Sequence, residues 1–508
     1  MLQNNKRPGD VPHVDLATAH ISQEAVSAIS ESLAKRYQVI PIEKENQELT
    51  LAMADPTNFF AIDDVRRVTG CEVKPVIAAE QAIMQAISQY YGVHDLVKKA
   101  VKKFNQEEHS AVAQVHTEDD APIIGIVSSL LAQAVRERAS DIHIEPQENL
   151  LRIRFRVDGI LREVVSFTRN IHSAIVSRIK IMANMDITEK RLPQDGRIDT
   201  LEQGREVNIR VSTLPTIDGE KVVMRLLDKR AVILDITKLG FTTSNLACYR
   251  QLYSQSHGMI LVTGPTGSGK TTTLYSTLAQ INTIDRNTIT IEDPVEYRLA
   301  GTNQVQVNPR AGLTFAKGLR SILRQDPNVI MIGEIRDGET ADIAIRAALT
   351  GHLVLSTLHT NDAAGAITRL IDMGVEPFLI ASSVLGVLAQ RLVRVNCPEC
   401  KKIYTPVYGS GEQLFVNQDK PVSLYKGLGC ANCAFTGYRG RMAIQEVMPV
   451  SSQIRKLINR RASTDEIGAV ARSEGMLSMR EDGIQKALAG FTTMNEVMRG
   501  TYVYNKSD

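Results

Sequence analysis

The eight residues GPTGSGKT, Gly264 to Thr271, constrain the fold of this chain more than any other stretch. They fit the phosphate-loop pattern G-x-x-x-x-G-K-[ST]. The apolar run Met259 to Val262 precedes them and the helical stretch Thr272 to Leu278 follows, which predicts a strand, a loop and a helix in that order. In such a loop the backbone N–H groups turn towards phosphate oxygens, and the helix start adds partial positive charge. The sequence therefore predicts a nucleotide-binding site.

Within this loop, Lys270 is expected to reach the β- and γ-phosphates of ATP, and the hydroxyl of Thr271 to bind Mg²⁺. The alternative is a glycine-rich turn without a ligand, but the lysine, the threonine and both flanks argue against it. The predicted nucleotide-binding positions are Gly264, Pro265, Thr266, Gly267, Ser268, Gly269, Lys270, Thr271 and Thr272.

Two further predicted strands end in acidic residues. Thr288 to Ile291 runs into the acids of EDPVE, and Val329 to Ile332 runs into GEIRD. The second arrangement is a Walker B pattern in which the acid is Glu334, and a glutamate there suits a general base or a water-positioning group. A helix cap or a surface salt bridge is the alternative for each acid. Several such strand ends around one phosphate loop favour the catalytic interpretation.

Two histidines flank a fourth predicted strand, Leu353 to Thr357. His359 follows the strand end, where a sensor of the γ-phosphate is expected, whereas His352 precedes the strand. A satisfied structural histidine is the alternative for both residues, and the sequence leaves the two interpretations of His359 open.

Two C-x-x-C pairs predict a metal site. Cys397 and Cys400 form the first pair, and Cys430 and Cys433 form the second. Four thiolates suit a closed tetrahedral Zn²⁺ site with a structural role. A redox dithiol is the alternative, but it needs only one pair and leaves the other unexplained.

Composition excludes some function classes. The net charge of +2 and the absence of Trp in 508 residues do not favour a nucleic-acid binder. The N-terminus has no apolar signal core, and the longest uncharged apolar run, Pro377 to Ala389, is too short to span a bilayer. The chain is therefore expected to be cytoplasmic.

Patterning along the chain predicts six segments. Alternating strands and helices around the phosphate loop indicate a parallel sheet. A single helix is expected over Ile21 to Tyr37, and the alternating arginines Arg152, Arg154 and Arg156 are interpreted as a solvated sheet face. The segments are a small α/β unit at 1–95, a linker at 96–121, a second unit at 122–235, the nucleotide-binding domain at 236–395, a four-cysteine module at 396–440 and a helical end-piece at 441–508.

An ordered set of motifs resembles one family, the GspE/PulE/PilB group of secretion ATPases that power type II secretion and type IV pilus assembly. The resemblance runs from about residue 20 to the end of the chain. Besides the phosphate loop and the paired C-x-x-C, the motifs are ASDIHIEP (139–146), RLPQDGRI (191–198), TIEDPVEY (290–297), RSILRQDPNVIMIGEIRD (320–337) and GHLVLSTLHTND (351–362).

The resemblance implies an α/β fold in which a RecA-like P-loop NTPase domain follows a PAS-like α+β domain and a small α/β N-terminal domain. A tetracysteine zinc module and a helical C-terminus come after it. The resemblance also implies that Glu334 is the catalytic glutamate and that Glu296 polarises the attacking water. By strand context, Arg210 and Arg225 correspond to arginines that complete the site from the preceding domain, and Arg191 is a further candidate.

The same resemblance implies a homo-hexamer that drives an inner-membrane platform or docking protein. Membrane contact is then expected only through that partner, and no nucleic acid is expected. The cysteine module argues against the pilus retraction members. Residues 1–40 show no clear copy of the repeats through which some relatives bind cyclic di-GMP. The alternatives are a DNA-translocating ring ATPase and a nucleotide-gated scaffold that does not hydrolyse ATP.

Overall fold

The computed structural model describes residues 11–16, 19, 21–26, 28–91, 121–202, 205–228, 235–407, 409–416, 422–434 and 436–501. All but the last residue of the predicted linker, 96–121, lies outside these ranges. The chain divides into two compact units. One consists of residues 1–229 and 429–436, and the other of residues 230–428 and 437–508.

A three-stranded sheet forms the N-terminal part of the first unit. β1 pairs antiparallel with β2, and β2 pairs parallel with β3. The prediction of a single helix over Ile21 to Tyr37 is wrong, because the structure has two helices there. Ser30 caps the second helix by accepting a hydrogen bond from the N–H of Leu33. The elements are α1 Gln23–Val26, α2 Glu31–Tyr37, β1 Val39–Glu45, β2 Glu48–Met53, α3 Phe59–Thr69, β3 Glu72–Ile77 and α4 Glu80–Tyr91.

A six-stranded antiparallel sheet, in the order β6-β5-β4-β9-β8-β7, forms the rest of the described part of this unit. Its apolar face packs with the two helices, and Ile142, Phe155 and Ile209 of the strands share a core with Leu130 and Ile175 of the helices. The elements are α5 Ala121–Arg136, β4 Ala139–Pro146, β5 Leu150–Val157, β6 Ile160–Thr168, α6 His172–Met182, β7 Gln194–Glu202, β8 Arg205–Thr216 and β9 Gly219–Asp228.

The arginine face of β5 differs from the expectation. The alternation itself is confirmed, but the face is not simply solvated. Arg152 and Arg154 are half-buried and pair with the buried carboxylate of Glu145 on β4. Because the partner lies on another strand, alternation within β5 alone could not reveal it.

A seven-stranded sheet organises the second unit, in the order β12-β11-β13-β14-β10-β15-β18. All neighbouring strands are parallel except β15 and β18. β16 and β17 form a separate antiparallel pair. The strands are β10 Gly258–Thr263, β11 Thr288–Glu292, β12 Asn303–Gln306, β13 Val329–Ile332, β14 Leu353–Leu358, β15 Val384–Asn396, β16 Lys401–Tyr404, β17 Leu424–Gly427 and β18 Tyr438–Pro449.

Helices connect the parallel strands, as the sequence predicts. Every residue of β10, β13 and β14 is buried, which explains their continuous apolar runs. The helices are α7 Thr243–Tyr253, α8 Lys270–Ile281, α9 Phe315–Ile322, α10 Gly338–Leu349, α11 Ala363–Asp372, α12 Pro377–Ser383, α13 Gly411–Val416, α14 Ser452–Asn459, α15 Thr464–Ser473, α16 Met479–Leu488 and α17 Met494–Thr501. Short 3₁₀ turns occupy Arg169–Ile171, Ile236–Leu239, Pro309–Ala311 and Ala431–Cys433.

The end-piece expected to be helical from residue 441 begins as a strand. β18 continues to Pro449 and pairs with β15, so it extends the nucleotide-binding sheet by one antiparallel strand. Its residues 443–448 are all buried, although Gln445 and Glu446 among them are polar. The rest of the predicted end-piece is helical as far as the structure describes it, in α14 to α17.

Candidate functional site

The phosphate loop lies between the end of β10 and the start of α8, at the carboxyl edge of the parallel sheet. Two of its glycines are required by the backbone. A Cβ at Gly264, where φ is 146°, would lie 2.4 Å from the carbonyl oxygen of Gln390. Gly269 has φ 88° and directly precedes α8. Larger residues at either position would change the curvature of the loop.

Lys270 and Thr271 begin the helix that follows the loop. The Nζ of Lys270 donates to the carbonyl oxygens of Gly264 at 2.8 Å and Pro265 at 3.0 Å, which holds the ammonium over the loop backbone. Burial lowers the pKa of Lys270, and the nearby carboxylate of Glu334 opposes that shift. Thr271 is exposed on the first helical turn, whereas Ser268 is buried.

Glu334 follows β13, and its side chain lies beside His359 of the motif after β14. Its side chain is 14% exposed, and Oε1 lies 2.6 Å from Nη2 of Arg336. The other oxygen, Oε2, lies 3.4 Å from Nε2 of His359, which follows β14. Since β13 and β14 are parallel neighbours, their carboxyl ends bring these side chains together. By contrast, Nδ1 of His352 lies 2.9 Å from the carbonyl oxygen of Ala347 in the preceding helix.

A buried polar network joins the phosphate-loop helix to the acidic segment after β11. The hydroxyl of Tyr275 on α8 donates to Glu292, and it accepts a hydrogen bond from the backbone N–H of Glu296 at 3.3 Å. Glu292 also accepts from Thr290 at 2.6 Å and from Gln304 at 3.2 Å. Burial and the carboxylate of Glu292 raise the pKa of Tyr275. The sequence interpretation missed Tyr275, although it lies one helical turn beyond Lys270 and Thr271.

Two acids close to these motifs cap helices instead. Asp337 accepts a hydrogen bond from the N–H of Thr340 at 2.8 Å and begins α10. Asp362 accepts from the N–H of Gly365 at 2.7 Å and begins α11. For Asp337, one of the acids at the predicted strand ends, the helix-cap alternative is the one that the structure supports.

The three predicted arginines lie in the first unit, whereas the phosphate loop lies in the second. Arg210 on β8 and Arg225 on β9 are directly opposite one another. Nε of Arg225 donates to Asp141 at 3.1 Å. Arg191 is exposed and lies near Glu189. The two strand arginines therefore share one part of the six-stranded sheet.

The four cysteines of the C-x-x-C pairs converge. Their Sγ atoms all lie within 4.8 Å of one another, and three of the side chains are buried. The backbone N–H of Cys430 also donates to the sulfur of Cys433 at 3.2 Å. An all-thiolate donor set of this size fits Zn²⁺.

None of the helices that the structure describes combines the length and the apolar character needed to cross a membrane.

Comparison with known proteins reveals two family matches. Residues 116–499 match the model described as Type II/IV secretion system protein, and residues 9–95 match the MshEN domain. The chain is 46% identical over 506 residues to the type IV pilus assembly ATPase PilB of Myxococcus xanthus, covering 97% of this chain and 89% of that relative. It is 48% identical over 481 residues to the type II secretion system protein E of Pseudomonas aeruginosa, covering 92% and 95%.

A similar solved structure is that of the pilus retraction motor PilT with bound ADP. It is 25% identical, has a TM-score of 0.50, and covers 74% of this chain and 97% of its own. The sheet around the phosphate loop thus has the RecA-like α/β fold of secretion ATPases.

Proposed function

The chain belongs to the type II/IV secretion system protein family, and on that premise we propose that it is an ATP-hydrolysing motor for type II secretion or type IV pilus assembly. The relatives that are similar over most of their length carry those two names. One observation carries the enzymatic part of the proposal. The phosphate loop, Glu334 and His359 all follow carboxyl ends of parallel strands in one sheet, and Glu334 contacts His359.

In this proposal the phosphate loop binds ATP, with Lys270 at the β- and γ-phosphates. Thr271 would hold Mg²⁺, which neutralises charge on the phosphates when it is bound. Glu334 orients a water molecule and accepts its proton as the water oxygen bonds to the γ-phosphorus. The bond from that phosphorus to the bridging oxygen breaks, and ADP leaves. The contact with His359 supports a role for this histidine beside the γ-phosphate.

Glu296 is proposed to polarise the water, and the hydrogen bond between its backbone and Tyr275 supports a fixed position relative to α8. Arg210 and Arg225 are proposed to complete the site. Charge develops on the equatorial phosphoryl oxygens during transfer, and a guanidinium stabilises that charge. Their side-by-side position on β8 and β9 supports a joint role.

The machine-level part of the proposal follows the named relatives. We propose a homo-hexamer in the cytoplasm that meets the inner membrane through a platform or docking protein. The first 95 residues are proposed to dock on that partner. The six-stranded sheet with its two helices is proposed to be the PAS-like domain, whose movement transmits the energy of hydrolysis.

The test is steady-state ATP hydrolysis by the purified chain, with particle mass measured in parallel. The chain is assayed alone and with the cytoplasmic part of a candidate membrane partner. Activity that rises as hexamers form supports the motor. No hydrolysis in a partner-bound hexamer would favour the scaffold, and stimulation by DNA alone would favour the translocase.

The cysteine cluster is proposed to hold a structural Zn²⁺. Replacing Cys430 with Ser removes one of four ligands, so the purified variant should lose bound zinc and melt at a lower temperature than the wild type. Metal content and thermal melting measure both effects, and Cys248→Ser is a matched control outside the cluster. Wild-type protein purified without any metal would remove the zinc assignment.

A further inference from the structure

Gln390 lies beside the phosphate loop on β15, the strand next to β10, and its side chain is 1% exposed. The Nε2 atom donates to the carbonyl oxygen of Ser268 at 2.8 Å. The Oε1 atom accepts from the hydroxyl of Thr273 at 2.9 Å. One amide thus bonds the loop on one side and the first turn of α8 on the other.

The same residue also limits the space around both structural glycines of the loop. Its carbonyl oxygen would lie 2.4 Å from a Cβ at Gly264, and its Nε2 would lie 3.2 Å from a Cβ at Gly269. The loop is therefore fitted against Gln390 at its start, at Ser268 and at its end.

The bond to Ser268 fixes the direction of a peptide group that the nucleotide needs. A trans peptide is planar, so its carbonyl and its N–H point to opposite sides. Holding the Ser268 carbonyl towards β15 directs the N–H of Gly269 away from β15. Without that bond the carbonyl oxygen is free to turn towards the phosphates, where it would repel them.

We propose that Gln390 is a positioning residue of the nucleotide site, which sets the orientation of the phosphate-loop amides and so the affinity for the nucleotide. The inference rests on the proposed function in that the loop must bind nucleotide. It assigns Gln390 to binding and not to the chemical step, because the side chain contacts the loop and the helix and neither Glu334 nor His359.

A second buried glutamine supplies a matched control. Gln445 on β18 is directly opposite Gln390 and is fully buried. Within the part of the chain that the structure describes, its side-chain amide has no hydrogen-bond partner. Gln390→Met and Gln445→Met therefore remove the same amide from neighbouring positions, and only the first change removes bonds to the loop.

The experiment is a titration of the full chain with the fluorescent nucleotide mant-ADP in the presence of Mg²⁺, together with KM and kcat for ATP. Gln390→Met should raise the dissociation constant and KM by about tenfold or more, because two intramolecular hydrogen bonds are lost. The value of kcat should change much less. Gln445→Met should leave the dissociation constant close to that of the wild type.

Thr273→Val removes only the bond on the helix side and should weaken binding by a smaller factor, about threefold. If Gln390→Met does not fold, Thr273→Val serves as the test. Unchanged affinity for mant-ADP in Thr273→Val would then overturn the proposal. Equal affinity in Gln390→Met and the wild type, or equal losses in the two glutamine variants, would also overturn it. A wild type that does not bind mant-ADP contradicts the proposed function itself, which is a different result.

Discussion

Each unit contains a carboxylate surrounded by cations, and the two environments differ. The side chain of Glu145 in the first unit is 6% exposed. Its carboxylate oxygens lie 2.8 Å from Nη2 of Arg154, 3.3 Å from Nη2 of Arg152 and 3.1 Å from Nζ of Lys221. All three partners extend from strands next to β4, so the sheet register fixes them. Both oxygens of this carboxylate are therefore in ion pairs within the sheet.

Glu334 in the second unit has fewer partners, and both are more exposed than those of Glu145. It follows a strand end, and its two partners are exposed, Arg336 to 69% and His359 to 48%. Neither partner is held on a neighbouring strand. A carboxylate whose partners are fixed by sheet register stabilises the fold, whereas a carboxylate at a strand end with exposed partners can act on a ligand.

The sharpest test of this comparison is Glu334→Gln. If Glu334 orients water and accepts a proton, hydrolysis should fall by at least about 100-fold. Affinity for mant-ADP and the melting temperature should change little, because the amide has nearly the same shape. Steady-state turnover beside nucleotide titration and thermal melting measures all three. Unchanged turnover would remove the catalytic role of this residue.

The matching change in the other unit, Glu145→Gln, should have the opposite profile. Removing the charge leaves three cations without their carboxylate, which should lower the free energy of unfolding by about 2 kcal/mol. Hydrolysis by the folded protein should remain close to wild type. Chemical denaturation and turnover at low temperature measure the two effects. The comparison breaks if Glu145→Gln loses turnover and keeps its stability.

A smaller effect is expected from His359→Ala. If the imidazole contacts the γ-phosphate, its loss removes one hydrogen bond to a charged group and should lower kcat by about tenfold. His352→Ala is the control, since His352 bonds Ala347 in the preceding helix. The kcat values of the two variants decide whether His359 has a specific role, and equal losses would assign both histidines to structure.

The last expected effect concerns the pH dependence of stability, and it appears only in acid. Burial opposes ionisation of Glu145, but its hydrogen bonds with Arg154 and Lys221 outweigh that cost and lower its pKa from 4.5 to about 2. Because the folded pKa is the lower one, the carboxylate stabilises fully above about pH 4.5, and this contribution is lost as pH falls towards 2. Unfolding free energy measured across that range should fall more steeply for wild type than for Glu145→Gln. Parallel curves would contradict the assignment.

Sequence reasoning succeeded where structure is local. The phosphate-loop glycines, the strand ends and the C-x-x-C pairs are each defined by a few adjacent residues, and the structure has the strands, helices and sulfur cluster that they predict. It failed where the partner lies on another strand or loop. Glu145 was not connected with Arg152 and Arg154 on the neighbouring strand β5, and Gln390 was not connected with the loop more than a hundred residues before it.

The ends of helices and strands were also predicted poorly where they depend on contacts outside the segment. Helical spacing of apolar residues predicted one helix across Ile21 to Tyr37, but Ser30 caps a second helix that begins at Glu31. Residues 441–449 were included in a helical end-piece, but they form the end of β18 and pair with β15, a partner that the sequence does not reveal.

The phosphate loop and the acid after β13 are recognisable in the sequence because each is defined by a few adjacent residues. Only the folded chain shows which polar groups contact the loop and its helix. Gln390 and Tyr275 reach their partners because sheet order brings distant strands and helices together. Hydrogen bonds depend on distances of about 3 Å in space, and separation along the chain does not reveal those distances.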